Sequence, residues 1–257
     1  MSSILQVEGG HPLRGEITVR GAKNFVPKAM VASLLADTPS ELYNVPLIRD
    51  TDVVSDLLSL HGVQIDFDQD RGTLRMDPSN VKIASRSDID TLAGASRIPI
   101  LFCGPLLHQL GEAFIPELGG CAIGGRPIDF HLETLRKFGA IVDKQPDGVH
   151  IKRPATGLHG AIIELPFPSV GATEQTLLTA VRNEGITTLK GAAIEPEILD
   201  LINVLQKMGA IISVDTDRTI RIEGVDNLKG YRHTALPDRI EAASWAAAAL
   251  ATHGDIY

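Results

Sequence analysis

An internal repeat is the feature of this sequence that most constrains its fold. Gly-Ala dipeptides at Gly21, Gly94 and Gly171 each begin an apolar stretch, and they lie 73 and 77 residues apart. Recurrence at a nearly constant period indicates one repeated supersecondary unit, with neighbouring copies burying a shared core. Each apolar stretch is predicted to form the first helix of its unit.

A second helix is predicted in every copy. It begins at an acidic or proline signal near Arg49, Arg126 or Glu195, and its apolar residues recur at three- and four-residue spacing. Each of these helices ends at a glycine, which adopts the left-handed C-terminal conformation without the steric cost of a Cβ atom. The three glycines are Gly62, Gly139 and Gly209.

Alternating apolar residues after each glycine predict a pair of strands. Ile65 and Phe67 in one copy, and Ile212 and Val214 in another, show the period of two that is typical of a strand, and a turn and a second strand follow. The unit is therefore βαβαββ, an α/β arrangement. Three units about a pseudo-threefold axis, with helices inside and strands outside, are expected to form one domain over residues 20–230.

A fourth copy begins near the end of the sequence. Asp238 is expected to open a helix that runs to Thr252, and a strand begins at Gly254, shortly before the sequence stops at Tyr257. A repeat without its second helix and hairpin indicates a fragment of a longer protein.

The ends of the sequence are therefore assigned to a second, similar and incomplete domain. This domain is expected to contain residues 1–19 and 231–257. Strands at 4–8 and 16–20 have no partner in the first three copies, so they are predicted to pair with the fourth.

The charge balance excludes several classes of function. The sequence has 24 Lys and Arg against 32 Asp and Glu, a net charge of −8, so no general affinity for nucleic acid or an anionic membrane is expected. The first residues have neither the basic nor the apolar region of a secretory leader, so no export is expected, and no apolar stretch reaches the roughly 20 residues that cross a bilayer. The two cysteines form neither a disulfide framework nor a metal-binding spacing. A cytoplasmic protein without a metal is favoured.

The most unusual segment surrounds Cys121. Four glycines flank this cysteine between Leu118 and Arg126, which predicts a loop, the most mobile part of the domain, because glycine is costly inside a helix or strand. A thiol here, five residues before an arginine, could be exposed with a lowered pKa. A small buried cysteine beside a tight turn is the competing interpretation. Cys103, within an apolar stretch, is predicted to be a core residue.

Cations near helix starts suggest an anion site. Lys23 follows the first Gly-Ala dipeptide, where backbone N–H groups and the helix dipole favour an anion, and Arg97 holds the equivalent place in the second copy. With Arg126 nearby, these side chains could form a cationic cup, although Lys23 could equally be a solvated surface lysine. The segment from Ser169 to Glu174 offers a further anion or uracil contact, or simply a helix cap.

These motifs together resemble the UDP-N-acetylglucosamine 1-carboxyvinyltransferases, a family of enolpyruvyl transferases. The resemblance extends over essentially the whole chain and implies the family's inverse α/β barrel fold, with two barrels of three units each. About 160 family residues would then lie outside this sequence. The matching segments are 21–24, 44–50, 119–124, 126–129, 169–173, 195–198 and 237–241.

The resemblance implies transfer of the enolpyruvyl group of phosphoenolpyruvate to the 3-hydroxyl of UDP-N-acetylglucosamine, the first committed step of peptidoglycan synthesis. It implies no cofactor and no metal. Lys23 and Arg126 would hold phosphoenolpyruvate, and Cys121 would be the general acid and the nucleophile that fosfomycin alkylates. The implied substrate-binding residues are Asn24, Asp50, Arg97, Pro127, Ile128, Asp129, Phe130, Ser169, Val170, Gly171, Glu197, Asp238 and Glu241.

Three departures and three alternatives accompany this reading. Ile98 and Pro99 follow Arg97 where members commonly have alanine and serine. Phe130 replaces a usual leucine, and Phe167 stands where some members place a nucleotide-binding lysine, which puts a diphosphate contact at that position in doubt. The sister enzyme 5-enolpyruvylshikimate-3-phosphate synthase shares the fold and chemistry but lacks the glycine-cysteine loop. A non-catalytic UDP-sugar-binding half-protein and an inactive truncated product also remain. The catalytic base would lie in the missing half, so this chain alone is expected to show no turnover.

Overall fold

A computed structural model describes residues 4, 6–93, 96–116, 118 and 127–257. The helices are α1 Val26–Ala32, α2 Arg49–Leu60, α3 Arg86–Ala93, α4 Cys103–Gln109, α5 Asp129–Lys137, α6 Val170–Ala180, α7 Pro196–Met208 and α8 Arg239–Thr252, with 3₁₀ segments at Ser33–Leu35 and Ile98–Phe102. The strands are β1 Arg14–Gly15, β2 Ser40–Tyr43, β3 Gln64–Asp68, β4 Thr73–Asp77, β5 Glu112–Ile115, β6 Ile141–Gln145, β7 Gly148–Lys152, β8 Ile162–Glu164, β9 Ile186–Lys190, β10 Ile211–Val214, β11 Ile220–Glu223, β12 Arg232–Thr234 and β13 Asp255–Ile256.

The predicted repeat is present as three sheets, each with its own helices. The sheets have the strand orders β12-β2-β4-β3, β5-β7-β6 and β8-β9-β11-β10. In the first and third sheets the leading pair is parallel and the remaining pairs are antiparallel, which is the pairing of a βαβαββ unit. Along β2 and β11 buried residues alternate with more exposed ones, because one face of each sheet covers the helices and the other meets solvent.

The first sheet is completed by a strand from beyond the third unit. Strand β12 pairs in parallel with β2, just as β8 pairs with β9. Tyr231, directly before β12, is buried, and its hydroxyl donates to the carbonyl of Ala29 in α1. Sheet pairing therefore continues past residue 230. In the middle sheet, β5 pairs with β7 and no other described strand.

The first helices of the three units meet at the centre, as the repeat predicts. Helix α1 packs against the 3₁₀ segment that precedes α4, and α4 packs against α6. The contact of α4 with α6 is so close that a Cβ atom on Gly104 would lie 2.2 Å from the hydroxyl of Thr179. Cys103 beside it is fully buried, which raises the pKa of its thiol, so its prediction as a core residue is confirmed.

The glycines predicted to end the second helices all have the required backbone. Gly62, Gly139 and Gly209 have φ angles of 86°, 93° and 110°, values that residues with a Cβ atom rarely adopt. Helices α2, α5 and α7 end at or just before these positions. Helix α3 was not predicted, since it precedes the Gly-Ala dipeptide of its unit.

The N-terminal strands lie elsewhere than predicted. Among the described residues of 4–8 and 16–20 there is no strand; the paired residues are Arg14 and Gly15. Their partner is β13, in the fourth copy, as expected. The short β13 limits the ladder to two residue pairs, and beyond it Ile17 donates one further hydrogen bond to Tyr257.

The described ranges contain no candidate membrane span and no candidate metal centre. None of the helices there has the length and apolar character needed to cross a membrane. No group of three or more His, Cys, Asp or Glu side chains within those ranges is arranged to hold a metal ion.

Candidate active site

Lys23 lies where the starts of three helices converge. Its ammonium nitrogen is 2.9 Å from Oδ2 of Asp50, in the first turn of α2. Its backbone N–H donates to Oδ2 of Asp238, the residue that precedes α8, at 2.9 Å. Asn24 is exposed beside it. Three of the implied substrate-binding residues and the implied phosphate-binding lysine therefore form one cluster.

The cluster extends to the second unit through a serine. Oδ1 of Asp50 accepts a hydrogen bond from the hydroxyl of Ser96 at 3.0 Å, and the same oxygen of Ser96 accepts the N–H of Ile98 at 3.2 Å. Arg97 lies between these two residues. The ion pair of Lys23 is thus linked to the chain segment that carries the second cation.

Asp238 caps α8 as well as holding Lys23. Its Oδ1 accepts the backbone N–H groups of Ile240 and Glu241 at 2.8 and 3.1 Å. Burial opposes ionisation, but the N–H donors of Lys23, Glu241 and Ile240 outweigh it and lower the pKa of Asp238 below its ordinary value. A carboxylate at this place is charged at neutral pH and fixed by its donors.

Two further acidic site residues, Glu197 and Glu241, are also engaged in hydrogen bonds. Glu197 is buried at the start of α7 and accepts two hydrogen bonds from the guanidinium of Arg239, at 2.9 and 3.3 Å. Glu241 accepts the backbone N–H of Arg20 at 3.3 Å. These two carboxylates join α7, α8 and the N-terminal segment.

A buried ion pair lies beneath the site. Lys28 of α1 and Glu174 of α6 are 3.6 Å apart, and their side chains are only 9% and 5% exposed. Burial raises the pKa of Glu174 to about 7, although the charge of Lys28 acts in the opposite direction. The negative charge of Glu197 contributes to the increase, which indicates that this pair and the site are in electrostatic contact.

A second group of implied residues lies at the starts of α5 and α6. Pro127 and Asp129 are exposed, whereas Ile128 and Phe130 are half-buried. Ser169 caps α6 by accepting the N–H of Ala172 at 3.3 Å. Val170 and Gly171 follow in the first turn of α6.

Helices α5 and α6 touch at their first turns. A Cβ atom on Gly171 would lie 2.8 Å from Nε2 of His131, so a larger residue there would require the imidazole to move. Burial lowers the pKa of His131 to about 4, and the charge of Arg97 acts in the same direction. Arg97 therefore lies within electrostatic reach of this second group as well as next to Ser96.

The two phenylalanines that depart from the resembled family pack against each other. The rings of Phe130 and Phe167 meet edge to face with centroids 5.3 Å apart, and Phe167 remains 56% exposed. This places an apolar surface, not an ammonium group, directly before the cap of α6.

One cavity adjoins the implied residues. It has a volume of about 410 Å³ and is lined by Arg97, Pro127, Ile128 and the hairpin 144–149 of β6 and β7. A larger cavity of about 630 Å³ lies between α3, α4 and the middle sheet, and its described lining includes none of the implied residues. Of the described implied residues, Arg97, Pro127 and Ile128 line the smaller cavity. Cys121 and Arg126 lie outside the described residues.

A comparison with protein-family models decides the family. Residues 7–257 match the model described as EPSP synthase (3-phosphoshikimate 1-carboxyvinyltransferase). The chain belongs to the EPSP synthase family.

Curated relatives within this family carry a more specific name. UDP-N-acetylglucosamine 1-carboxyvinyltransferases from Protochlamydia amoebophila, Acidiphilium cryptum and Chlamydia pneumoniae are 43%, 45% and 42% identical to this chain, over 99%, 98% and 99% of its length. The alignments cover 55%, 59% and 55% of those proteins. The chain thus spans between half and two thirds of the length of these relatives.

Solved structures of the family establish the fold. The enolpyruvyl transferase NikO from Streptomyces tendae superposes with a TM-score of 0.82 at 24% identity, covering 92% of this chain and 55% of NikO. EPSP synthase from Acinetobacter baumannii gives 0.71 at 18% identity, covering 91% and 52%. The predicted inverse α/β barrel is confirmed.

Four residues of this EPSP synthase family member were not anticipated as part of the site region. Ser96 had no signal beyond its place in a Gly-Ala-Ser tripeptide, and Lys28 and Glu174 each lie in apolar helices where a charge is unusual. That anomaly could have identified the buried pair. Arg239 lies within the matching segment 237–241, and no individual role was predicted for it.

Proposed function

We propose that this chain provides one barrel of an enzyme that transfers the enolpyruvyl group of phosphoenolpyruvate to the 3-hydroxyl of UDP-N-acetylglucosamine and releases phosphate. The observation that carries the proposal is the cluster of Lys23, Asp50 and Asp238, linked through Ser96 to Arg97, in a chain 41–45% identical to curated proteins of that name. The reaction would be the first committed step of peptidoglycan synthesis, in the cytoplasm, with the attendant roles in cell shape and division.

The residue roles follow from charge and position. Lys23 and Arg126 neutralise the phosphate and carboxylate of phosphoenolpyruvate, and Arg97 contacts phosphate oxygens nearby, since cations are the groups that bind such anions. Cys121 protonates C3 while the sugar hydroxyl adds to C2; loss of phosphate and of the C3 proton then restores the double bond. Cys121 is also the proposed site of alkylation by fosfomycin.

The starts of α5 and α6 form the proposed nucleotide subsite. Adjacent helix N-termini offer backbone N–H groups to a diphosphate, and the residues implied for this role are Pro127, Ile128, Asp129, Phe130, Ser169, Val170 and Gly171. Asn24 contacts the sugar nucleotide from α1. Asp50, Glu197, Asp238 and Glu241 complete the proposed substrate site.

We further propose that residues 20–230 are the core of one barrel, that Tyr231 and β12 complete its first sheet, and that 1–19 and the rest of 231–257 begin a second. Support comes from α8, which is apolar over most of its length yet has no buried residue. A helix of this composition requires a covering partner. The proposed partner is the C-terminal half of the same protein, which would also supply the base that deprotonates the sugar hydroxyl.

The test joins this chain to the C-terminal part of the Protochlamydia relative, starting where the alignment ends. Phosphate release from phosphoenolpyruvate is measured with UDP-N-acetylglucosamine or shikimate 3-phosphate as acceptor, and the 257-residue chain alone is the control. We expect phosphate release only from the fusion, and only when the UDP-sugar is the acceptor.

Each alternative has its own outcome. Release with shikimate 3-phosphate alone would show an EPSP synthase. Binding of the UDP-sugar without any release would support the non-catalytic half-protein. Turnover by the 257-residue chain alone would contradict the proposed need for a second barrel.

A further inference from the structure

The hydroxyl of Ser96 has a carboxylate oxygen within hydrogen-bond distance. The residue is 3% exposed, so its hydroxyl is shielded from water. Its Oγ accepts the N–H of Ile98 at 3.2 Å and lies 3.0 Å from Oδ1 of Asp50. A hydroxyl has a single proton. Because the carboxylate can only accept, that proton points at Asp50.

The other oxygen of Asp50 holds the ammonium of Lys23. The distance is 2.9 Å, but the Lys23 side chain is 61% exposed and that of Asp50 is 21% exposed. An ion pair between exposed, flexible side chains contributes only about 0–1 kcal/mol and fixes little by itself. The place of the ammonium therefore depends on what holds the carboxylate.

The same serine also fixes the chain next to Arg97. By accepting the N–H of Ile98, it caps the first residue of the 3₁₀ segment Ile98–Phe102, whose N-terminal N–H groups have no partner within the helix. One hydroxyl thus connects the segments that carry both cations.

We propose that Ser96 is a positioning residue for the anion site: it orients Asp50, which in turn holds the ammonium of Lys23, and it anchors the segment of Arg97. The inference rests on the proposed function for its biological role, because these two cations are the proposed ligands of phosphoenolpyruvate. The positioning of Lys23 itself is independent of that role.

Reductive methylation of lysines, followed by mass spectrometry, measures this positioning in the 257-residue chain without any need for activity. In Ser96→Ala the carboxylate loses its donor and Lys23 is held less firmly, so we expect Lys23 to be methylated about threefold to tenfold faster than in the parent. The exposed Lys190 and Lys229 serve as internal references and should not change.

Three variants control the experiment. Ser96→Thr keeps the hydroxyl and should restore the parental rate. Asp50→Asn breaks the ion pair directly and should raise the methylation rate of Lys23 at least as much as Ser96→Ala does. Ser40→Ala removes a fully buried serine whose hydroxyl accepts the N–H of Tyr231, and it should leave the rate at Lys23 unchanged. If Ser96→Ala fails to fold, Ser96→Cys, with a weaker donor, should give an intermediate rate.

Protection by phosphoenolpyruvate separates this inference from the proposed function. In the parent, millimolar phosphoenolpyruvate should slow methylation of Lys23. In Ser96→Ala, about tenfold more phosphoenolpyruvate should be needed for the same protection. An unchanged Lys23 rate in Ser96→Ala, with protection intact, would overturn the inference and leave the function standing. A faster rate in Ser96→Ala without any protection of the parent would support the positioning role and count against the proposed function.

Discussion

Helices α6 and α8 occupy equivalent positions in successive repeats but have opposite environments. Every residue of α6 from Ala172 to Ala180 is buried, whereas α8 has no buried residue. Both are mostly apolar, and both begin with a capping side chain, Ser169 or Asp238. The difference shows that neighbouring units, and not the composition of a helix, determine how much of its surface is removed from water.

The largest expected effect is a cavity in α6. Leu177→Ala removes three side-chain carbons from a fully buried position and should lower the free energy of unfolding by about 2–5 kcal/mol. Urea denaturation followed by far-UV circular dichroism measures the loss. Leu199→Ala, at a position 45% exposed in α7, is the matched control and should lose much less. Equal losses would mean that the interior of α6 is not packed as described.

The buried carboxyl of α6 should make stability depend on pH. The folded-state pKa of Glu174 is about 7, above its ordinary value of 4.5, so the folded chain binds this proton more tightly than the unfolded chain. Its contribution to stability is therefore present at low pH and is lost as the pH rises from about 4.5 to 7, by up to roughly 3 kcal/mol. Glu174→Gln should remove that slope.

Unfolding free energies of the parent and Glu174→Gln, measured from pH 4.5 to 8, check this expectation. The loss of the partner of Lys28 can make the variant less stable than the parent at every pH, but the stability of the variant relative to the parent should rise with pH. Glu133→Gln, at a side chain 58% exposed, makes the same charge change on the surface and should leave the slope intact. Parallel curves for the parent and Glu174→Gln would refute the buried titration.

Removing the cap of α8 or of α6 should lower the free energy of unfolding by a smaller amount, and the loss should differ between the two helices. Asp238 accepts three backbone N–H groups, including that of Lys23 outside its own helix, whereas Ser169 accepts one at 3.3 Å. We expect Asp238→Ala to cost about 1–2 kcal/mol and Ser169→Ala about 0.5–1 kcal/mol. Chemical denaturation of both variants tests the order. Asp238→Asn keeps an acceptor, so its stability should lie between those of the parent and Asp238→Ala.

The smallest effect is expected on the exposed helix. Leu250 of α8 is 81% exposed, so Leu250→Ala should change the unfolding free energy of this chain by less than about 0.5 kcal/mol. In the fusion with a C-terminal half, the same change should cost several times more, because the helix is then covered. Thermal unfolding of both forms makes the comparison, and an equal effect in the two would argue against burial of α8 by that half.

Local patterns predicted much of the fold. The glycines at 62, 139 and 209 end helices because the left-handed conformation is a property of the residue itself, and the start of α8 follows from the chemistry of its cap. The first sheet was assigned less well. Its leading strand β12 lies next to β2 through contacts between distant residues, which no local periodicity records.

In the candidate site, too, some residues were predicted from the sequence and others depend on contacts between distant segments. The family resemblance named Lys23, Asp50 and Asp238, and the structure brings these three together. It gave no reason to include Ser96, since a serine becomes informative only when its hydrogen-bond acceptor is known. The roles of Cys121 and Arg126 remain predictions from the resemblance.

The closure of the first sheet by β12 has a consequence for synthesis on the ribosome. The N–H of Tyr231 donates to the hydroxyl of Ser40 across 191 positions of sequence. Chains emerge from the N-terminus at about 5–20 residues per second, so β2 waits on the order of ten seconds or more for its neighbour. During that time it is an open sheet edge, the kind of surface that pairs with other chains. The nascent first unit is therefore open to such pairing until β12 has been synthesised.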